Sequence, residues 1–499
     1  MVWGSGAFNS CDKLLERVEK NDPTLVELVI LPMKSFGAKD IERLSNAIEN
    51  GVNTHLVSIS ASGHQLQPNS LKAFGTALSI QAQTQQQQEQ RQQFGITSLA
   101  IGSKDMGDQG ATALCQGLEP TNGALLHHLD LGWKEIGKDG LYEIGKTFVH
   151  SRFLTHLDLS RNDFGNDGIV HLSKAVAAAV TAAAKDEKNG TNDDDDAVAF
   201  PALEQLILSD CNIDSAGMDV LAEILLGEGK KRRSKRIHLA IGSNPISPQG
   251  CHSLVQLLSG ADQDGSIISH LQAAQCSIGD EGMEILSNGC HQHVKILDIS
   301  DNNLTKDGAK NLAQSLCYCW PDLVELKIAK NELGSDGATA ILGSLITRSD
   351  ISDSTDSSTE KKNSSLKNLD LSYTKCGAEG AKAALMSGGL NTLRLFGNTI
   401  GSEGFDAIAP LLRGGHPNIE NLDLGGNNAE EDSVVRLLDS IADKKDDSTQ
   451  SRLAVLEIGG NKFGDKAMEA LTRLKTVWPE LDVAHDKPVG ESGWKEEDQ

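Results

Sequence analysis

Aromatic side chains are scarce in this sequence, at 4% of 499 residues. An apolar core must therefore come mostly from Leu, Ile, Val and Ala, as in a regular stack of small units. No segment approaches the roughly 18 consecutive apolar residues of a membrane-spanning helix, so we expect no span. The opening stretch MVWGSGAFNSCDKLLERVEKND lacks a cationic leader followed by an apolar run, which argues against a secretory signal there.

Positive charge is also in short supply: 46 Lys and Arg face 70 Asp and Glu, for a net charge of −24. This balance argues against nucleic acid or an anionic membrane as general partners, because both are negative. It favours a partner protein with a basic surface.

The nine cysteines are odd in number and irregularly spaced, which favours reduced thiols in the cytosol or nucleus. Cys317 and Cys319 are too close for a CxxC metal clip, and no matching pair lies nearby. The sequence therefore predicts no metal and no other cofactor. It predicts a cytoplasmic protein, with the nucleus as an alternative location.

A repeated pattern occupies most of the chain: L-x-x-L-x-L-x-x-N-x-L, then a glycine-containing turn, then a stretch of helical period. It is clearest in LTHLDLSRNDFGNDGIVHLSKAV (154–176) and VKILDISDNNLTKDGAKNLAQSL (294–316). We count fourteen copies and number the positions of each from its opening residue. The copies open at Val26, Leu56, Ile96, Leu126, Leu154, Leu203, Arg236, Ile268, Val294, Leu323, Leu366, Leu390, Ile419 and Leu453.

Each part of the pattern has a physical reason. The alternation in L-x-L directs the two leucines inward and their neighbours outward, as a strand requires. The stretch after the turn has apolar residues three and four apart, so it predicts a helix packed behind the strand. Stacked units share a core that no single unit can bury.

The ninth position can hydrogen-bond the backbone where the chain leaves the strand, so stacked copies predict a polar ladder. The Asn and Cys residues at this position are Asn162, Cys211, Asn244, Cys276, Asn302, Asn331, Asn398, Asn427 and Asn461.

This pattern resembles the leucine-rich repeat family, of the ribonuclease-inhibitor type, over about residues 14–480. The resemblance implies an α/β fold: a horseshoe-shaped leucine-rich repeat solenoid of about 14 strand–helix repeats. Its parallel sheet would line the concave face and its helices the convex face. We assign the solenoid to residues 26–480.

Residues 10–25 predict an N-terminal capping helix with Leu14, Leu15 and Val18 turned inward. Their sequence, LERV followed by NDP, resembles that of the helix that opens the leucine-rich domain of tropomodulins. The resemblance implies a shared cap and, as a minor alternative, an actin-associated role. At the other end, LTRLKTVWPELDV predicts a closing helix, and residues 484–499 predict a flexible acidic tail.

Four low-complexity insertions separate helices from the strands that follow: 81–93, 181–196, 348–365 and 443–452. Their composition cannot form a core, so we expect them to be mobile. KKRRSKR at 230–236 is the one dense basic run. It predicts either a solvated linker or a nuclear-import signal, the latter carried by Lys230, Lys231, Arg232, Arg233, Lys235 and Arg236.

One stretch matches an enzyme motif: GLYEIGKT (140–147) fits the phosphate-binding template G-x-x-x-x-G-K-[ST]. The repeat phase makes Gly140 a turn glycine, and Leu141, Ile144 and Phe148 have the spacing of a core-facing helical stripe. We therefore interpret the match as accidental and predict a protein that is not an enzyme. Histidines recur at the third position (His128, His156, His238 and His270), and we interpret them as surface residues.

Outward-facing residues of the strands and turns are the candidates for partner binding, because concave repeat surfaces bind proteins. Trp, Tyr and Arg are the residue types that dominate interface energetics. One cluster lies in repeats four and five: Asp130, Trp133, Asp158 and Arg161. The second lies in repeats ten to twelve: Lys327, Lys330, Tyr373, Arg394 and Phe396.

Two functions follow from the sequence. The first is a non-enzymatic scaffold that binds a partner protein on the concave sheet, where acidic rungs such as Asp298, Asp370, Asp423 and Glu457 favour a basic partner. The second rests on resemblance to the Ran GTPase-activating proteins, which share the repeat type and the acidity, and implies a small GTPase as partner. Those proteins end in a long acidic run, whereas this sequence ends in the short KEEDQ.

Overall fold

A computed structural model describes residues 10–87, 95–186, 198–227, 235–259, 266–316, 318–345, 365–443 and 451–486. The chain divides into two compact units. Unit 1 is Met1–Ile246 with Ile267–Ser269, and unit 2 is Ser247–Ser266 with His270–Gln499. In both units short strands alternate with helices along the chain.

Unit 1 begins with a helix and continues as strand–helix repeats. Its strands pair in parallel and in chain order. The strands are β1 (Glu27–Val29), β2 (Ser58–Ser62), β3 (Ser98–Gly102), β4 (His128–Asp130), β5 (His156–Asp158), β6 (Gln205–Ile207) and β7 (Ile237–Ala240). The helices are α1 (Asp12–Glu19), α2 (Ala38–Glu49), α3 (Pro68–Gln87), α4 (Gly107–Leu118), α5 (Lys138–Phe148), α6 (Gly165–Asp186) and α7 (Ser215–Leu226).

Unit 2 repeats the arrangement, again with parallel strands in chain order. Its strands are β8 (Ile268–Gln272), β9 (Ile296–Asp298), β10 (Glu325–Lys327), β11 (Asn368–Asp370), β12 (Thr392–Arg394), β13 (Asn421–Asp423), β14 (Val455–Glu457) and β15 (Asp482–Ala484). The first two residues of β8 belong to unit 1. Its helices are α8 (Ser247–Ser259), α9 (Gly279–Ser287), α10 (Lys306–Ser315), α11 (Gly334–Leu345), α12 (Gly377–Met386), α13 (Gly401–Ile408), α14 (Glu431–Ala442) and α15 (Asp465–Val477).

The strand register matches the phase of the sequence repeat from the second copy onward. In the first copy Leu28 lies beside Ile59, so this copy opens at Leu25 and the predicted opening at Val26 is wrong by one residue. His128, Leu129 and Asp130 lie beside His156, Leu157 and Asp158, so third, fourth and fifth positions align from strand to strand. The predicted α/β solenoid of strand–helix repeats is thereby confirmed. We call the sheet face formed by the third- and fifth-position side chains the open face.

The fourth-position residues supply the core between strands and helices. Leu129 and Leu157 are buried, as are their counterparts through Leu456. In unit 1, Leu157 and Leu206 of the sheet line the same small cavity as Leu141 and Ile144 of α5. The core between the strands and the helices is therefore built mainly from leucine and isoleucine, as the low aromatic content predicts.

The ninth-position side chains form the predicted ladder. Asn162 is fully buried and bonds both its own turn and the preceding one. Its Oδ1 accepts from the backbone N–H of Lys134 (2.9 Å) and Ile136 (3.0 Å), and its Nδ2 donates to the carbonyl of Leu131 (2.9 Å). Cys211 occupies the same place one repeat later, where its thiol lies 3.3 Å from the carbonyl of Leu159. One amide thus satisfies backbone groups in two successive turns, which ties neighbouring repeats together.

The ninth residue also determines the backbone of the turn before it. Where the next repeat has Asn, the tenth residue of the preceding repeat is left-handed; these tenth residues are Glu135, Asn212, Ser277, Asn303, Lys375, Thr399 and Asn428. Where the next repeat has Cys211 or Thr374, the tenth residue is not left-handed and the twelfth is: Gly165 (φ 55°) and Gly334 (φ 63°). A left-handed twelfth glycine also occurs in turns followed by Asn, at Gly279, Gly377 and Gly401, so the tenth residue is the one that follows the identity of the ninth. Before Cys211 the N–H of Phe164 donates within its own repeat, to the carbonyl of Asn162 at 2.9 Å.

The ends of the array differ partly from expectation. Helix α1 buries Leu15 and Val18, whereas Leu14 is only half-buried. The sequence predicts fourteen strands and a closing helix, but α15 is followed by a fifteenth strand, β15, in which the C-terminal LDV stretch pairs with β14. β15 was missed because it carries a single buried valine, Val483, and no ninth-position Asn.

Two of the predicted insertions begin inside helices, and the first of them contributes two residues to the core, contrary to expectation. Helix α3 runs to Gln87 and α6 to Asp186, since Gln and Ala are good helix formers. Gln81 and Ala82 are buried, and the Gln81 side chain accepts from the N–H of Ile96 at 3.1 Å. Residues 88–93, 187–196, 348–364 and 444–450 lie outside the described residues, as do 487–499 of the predicted tail.

Candidate functional site

The eighth position lies where the chain leaves the strand, and its backbone is left-handed in the second repeat and from the fourth repeat onward. Ser103, at this position in the third repeat, is extended at φ −93°. In unit 2 glycine fills it at Gly397, Gly426 and Gly460, which matches the preference of that conformation. Trp133 (φ 56°) and Tyr373 (φ 57°) hold it with large side chains instead. For a bulky residue this backbone costs on the order of 1 kcal/mol. Arg161 and Lys330 hold the same conformation at this position, so the repeat imposes it.

The first predicted cluster is brought together on β4 and β5 of unit 1. Asp130 and Asp158 are neighbours in the strand register. The backbone N–H of Trp133 donates to the carbonyl of Ser160 at 2.7 Å, which fixes Trp133 beside Arg161. The Trp133 side chain is 57% exposed. We call Asp130, Trp133, Asp158 and Arg161 the unit-1 patch.

A buried lysine, which the sequence analysis did not single out, lies beneath this patch. Lys134 occupies the ninth, ladder position and is only 5% exposed. Its Nζ donates to the carbonyl of Gly132 at 3.0 Å. Burial lowers the pKa of Lys134, while the charges of Asp130 and Asp158 act in the opposite direction. The signal was available, since Lys replaces the Asn of later repeats at this position.

Two of the predicted histidines form a stacked pair on the open face. The rings of His128 and His156 lie 3.8 Å apart at 20°. Gln205 and then His238 continue the same row, as the repeat phase predicts. Within the described ranges no group of three or more His, Cys, Asp or Glu side chains could hold a metal ion.

The histidine pair should make the stability of unit 1 depend on pH. Burial, and then the charge of His127, lowers the pKa of His128 from 6.5. Burial, and then the charge of His128, lowers the pKa of His156 from 6.5. Glu204 opposes the shift at His156. Because the pKa of each histidine is lower in the folded state than in the unfolded state, protonation favours unfolding. The histidines therefore leave the free energy of unfolding undiminished above pH 6.5 and reduce it as the pH falls below that value.

We therefore expect the denaturation midpoint of unit 1 to fall between about pH 7 and pH 5, and to fall less in His128→Gln/His156→Gln. His171→Gln, on α6 of the same unit, is the matched control. Chemical denaturation across this pH range would measure the effect. A double variant with the wild-type pH dependence would contradict it.

The second predicted cluster lies on unit 2. The rings of Tyr373 and Phe396 are 5.3 Å apart at 59°. Arg394 lies on β12 beside Asp370, and Lys327 pairs with Glu325 on its own strand at 3.2 Å. We call Lys327, Lys330, Tyr373, Arg394 and Phe396 the unit-2 patch. The register therefore assembles each predicted cluster within its own unit.

The basic run is only partly described. Lys230, Lys231, Arg232 and Arg233 lie outside the described residues. Lys235 forms an ion pair with Glu204, and Arg236 is exposed just before β7. Nuclear import stays a prediction.

The phosphate-loop match GLYEIGKT lies wholly within helix α5. A Cβ on Gly140 would lie 2.7 Å from Asp108 Oδ1, and one on Gly145 would lie 2.5 Å from Leu172 Cδ1. Lys146 pairs with Glu119 at 2.8 Å. Both glycines are thus packing residues between helices, in agreement with the interpretation from repeat phase.

Comparison with known proteins bears on the nature of the repeats. Six segments match the family model described as Leucine Rich repeat: 150–173, 201–222, 290–313, 321–342, 362–383 and 390–409. These six segments are leucine-rich repeats by sequence, and the other strand–helix units share their geometry.

Two curated human proteins match part of this chain. Over 144 residues, 28% of this chain, it is 29% identical to human NACHT, LRR and PYD domains-containing protein 5, of which 11% is covered. Over 117 residues, 23% of this chain, it is 32% identical to human NACHT, LRR and PYD domains-containing protein 13, of which 10% is covered. The chain therefore spans about a tenth of the length of these two relatives.

A solved structure, that of the Rad7 and Elc1 complex in yeast, matches 89% of this chain and 92% of the matched chain, at 14% identity and a TM-score of 0.39. Among the described residues, no helix combines the length and the apolar character needed to cross a membrane. The ribonuclease-inhibitor subtype and the tropomodulin-like cap stay predictions.

Proposed function

We propose that this leucine-rich repeat chain is a non-enzymatic scaffold that binds a partner protein through the unit-1 patch. The observation that carries the proposal is Trp133, a 57% exposed tryptophan held in a left-handed backbone. Tryptophan buries a large area with few rotatable bonds, so it is a frequent energetic centre of protein interfaces.

The charges around Trp133 indicate the kind of partner. Asp130 and Asp158 lie side by side on the open face, and the whole chain carries a net charge of −24. Such a surface accelerates encounter with a basic partner by electrostatic steering. Arg161 adds a bidentate donor that can pair with a carboxylate or backbone carbonyl of the same partner. The partner surface that fits is therefore mainly basic with an acidic or polar edge.

Replacing Trp133 with Gly tests the proposal, because glycine suits the left-handed backbone and should leave the fold stable or slightly more stable. We expect about 30-fold weaker capture of a partner protein, since an aromatic hot spot contributes about 2 kcal/mol. Quantitative affinity capture from cell lysate, with thermal unfolding of each variant, measures both effects.

Tyr318→Ala is the matched control. Tyr318 is 60% exposed but follows α10, away from the third and fifth strand positions. Its replacement should leave capture unchanged. An identical set and amount of captured proteins for wild type and Trp133→Gly would refute the proposal.

The finer alternatives from the sequence, a Ran-type GTPase-activating role and a tropomodulin-like actin role, stay predictions. So does the cytoplasmic or nuclear location.

A further inference from the structure

The fifth-position side chains of unit 2 form a row of charges across adjacent strands. Asp370 lies beside Arg394, Arg394 beside Asp423, and Asp423 beside Glu457. Neighbouring strands are about 4.8 Å apart, so each side chain is within reach of the next. Charges alternate along this row until Asp423 and Glu457, where two carboxylates adjoin.

The adjoining carboxylates line a depression in the open face. It has a volume of about 290 Å³, and its polar lining comes from Thr392, Arg394, Asn421, Asp423 and Glu457. Asp423 is half-buried, and one carboxylate oxygen accepts from the N–H of Gly425 at 2.8 Å. Burial, reinforced by Glu457 and Asp370, raises the pKa of Asp423, whereas Arg394 acts in the opposite direction. A cation entering the depression would offset the repulsion between the two carboxylates.

An aromatic residue, Phe396, follows two residues after Arg394, which lines the depression. Phe396 occupies the seventh repeat position, which holds small residues in the neighbouring repeats: Ser300, Ala329, Ser372, Gly425 and Gly459. The next repeat leaves room for its ring, because a Cβ on Gly425 would lie 2.7 Å from Phe396 Cδ2 and one on Gly426 would lie 2.9 Å from Cζ. Tyr373, which is 50% exposed, packs on the other side of Phe396.

We infer that Asp423 and Glu457 form a subsite for one lysine or arginine side chain of a bound protein segment, with Phe396 contacting the aliphatic stem of that side chain. The inference rests on the proposed function, in that the open face binds protein, but it concerns unit 2 and a different set of residues. Arginine fits best, because a guanidinium can donate to two carboxylates and stack on an aromatic ring.

The site chemistry favours a side chain over a metal ion. Divalent cations such as Ca²⁺ need six or more oxygen ligands, and Zn²⁺ needs four ligands. Among the described residues no group of three candidate metal-binding side chains exists. An ammonium or guanidinium group, in contrast, is satisfied by two carboxylates, and its stem benefits from the neighbouring ring.

Selection of random seven-residue peptides displayed on phage tests the inference, with the full chain as bait. We expect peptides enriched on wild type to contain Arg or Lys, and to bind Asp423→Asn/Glu457→Gln at least tenfold more weakly. Replacing that Arg with citrulline, which keeps the length and removes the charge, should weaken binding to wild type to the same degree. Asp370→Asn is the control, because Asp370 has the same fifth repeat position but does not line the depression.

Three results would overturn the inference: enriched peptides without a basic residue, equal binding by the double variant, or no enrichment at all. Thermal unfolding of the double variant accompanies the selection. We expect no loss of stability, because asparagine at position 423 keeps an oxygen that can accept from the N–H of Gly425. Trp133→Gly should bind the same peptides as wild type. Failure of the unit-1 proposal would therefore appear in lysate capture and leave this selection unchanged.

Discussion

Replacing Gly117 with alanine should destabilise unit 1 by about 3 kcal/mol, because overpacking against a rigid neighbour typically costs 1–3 kcal/mol or more. Gly117 lies in α4 where that helix crosses α3. An added Cβ would lie 2.4 Å from the carbonyl oxygen of Lys72, 2.6 Å from the N of Thr76 and 2.8 Å from the carbonyl carbon of Gly75. All three are backbone atoms, so no side-chain rotation relieves the clash and the two helices must separate.

The measurement is urea unfolding followed by hydrogen exchange of α3 and α4, since a repeat array can open locally. Gly343→Ala is the matched control. Gly343 lies in α11, and a Cβ there would meet nothing within 4 Å. Alanine should raise stability there by up to about 1 kcal/mol through its helix propensity. Equal unfolding midpoints for Gly117→Ala and wild type would show that α3 and α4 tolerate a wider spacing.

Replacing Asn331 with cysteine should destabilise unit 2 by about 3 kcal/mol, since each buried backbone group left without a partner costs about 1–3 kcal/mol. Asn331 accepts from the N–H groups of Asn302 and Leu304, each at 2.9 Å. Cysteine cannot accept both. Cys211 is tolerated because the preceding turn is left-handed at its twelfth residue, Gly165, and bonds within itself. In the turn before Asn331 that twelfth residue is Thr305, whose β-branched side chain disfavours the left-handed conformation.

The comparison variant is Asn302→Cys, at the same position one repeat earlier. The twelfth residue before it is Gly279, which is already left-handed at φ 62°. That turn can adopt the arrangement seen before Cys211, so we expect a loss of about 1 kcal/mol, roughly one imperfect hydrogen bond. Thermal and urea unfolding of both variants would test the difference. Equal losses would mean that the twelfth residue does not control the turn.

The repeat phase was predictable from sequence because it depends on residue types with strong positional preferences. Leucine at the fourth position and asparagine at the ninth fix the strand and its exit, and the register of β4 and β5 follows. The buried Lys134 and the extension of α3 through Gln81 depend on tertiary packing, which composition alone does not reveal. β15 was missed because a short strand at the end of an array needs only one apolar residue.

The candidate sites were predictable in membership but not in geometry. Residue type and position selected Trp133, Tyr373 and Phe396. The left-handed backbones of Trp133 and Tyr373 and the tilted contact between the rings of Tyr373 and Phe396 depend on the next repeat. So does the clearance that Gly425 and Gly426 provide for Phe396. The repeat phase places Asp423 beside Glu457, because both occupy the fifth position. The depression that they line depends on the packing of three strands, which the sequence pattern does not specify.

The dependence of each turn on the ninth residue of the following repeat defines how this chain could be recombined. If an exchanged segment begins at the opening leucine, the tenth residue of one repeat is separated from the asparagine of the next repeat that holds it left-handed. If the segment begins at the tenth residue instead, the two stay together, as in the segment 303–331, which begins with Asn303 and ends with Asn331. Duplications or chimeras built on that second frame should carry their turns intact, so the exchangeable module of this array begins inside the turn and not at the strand.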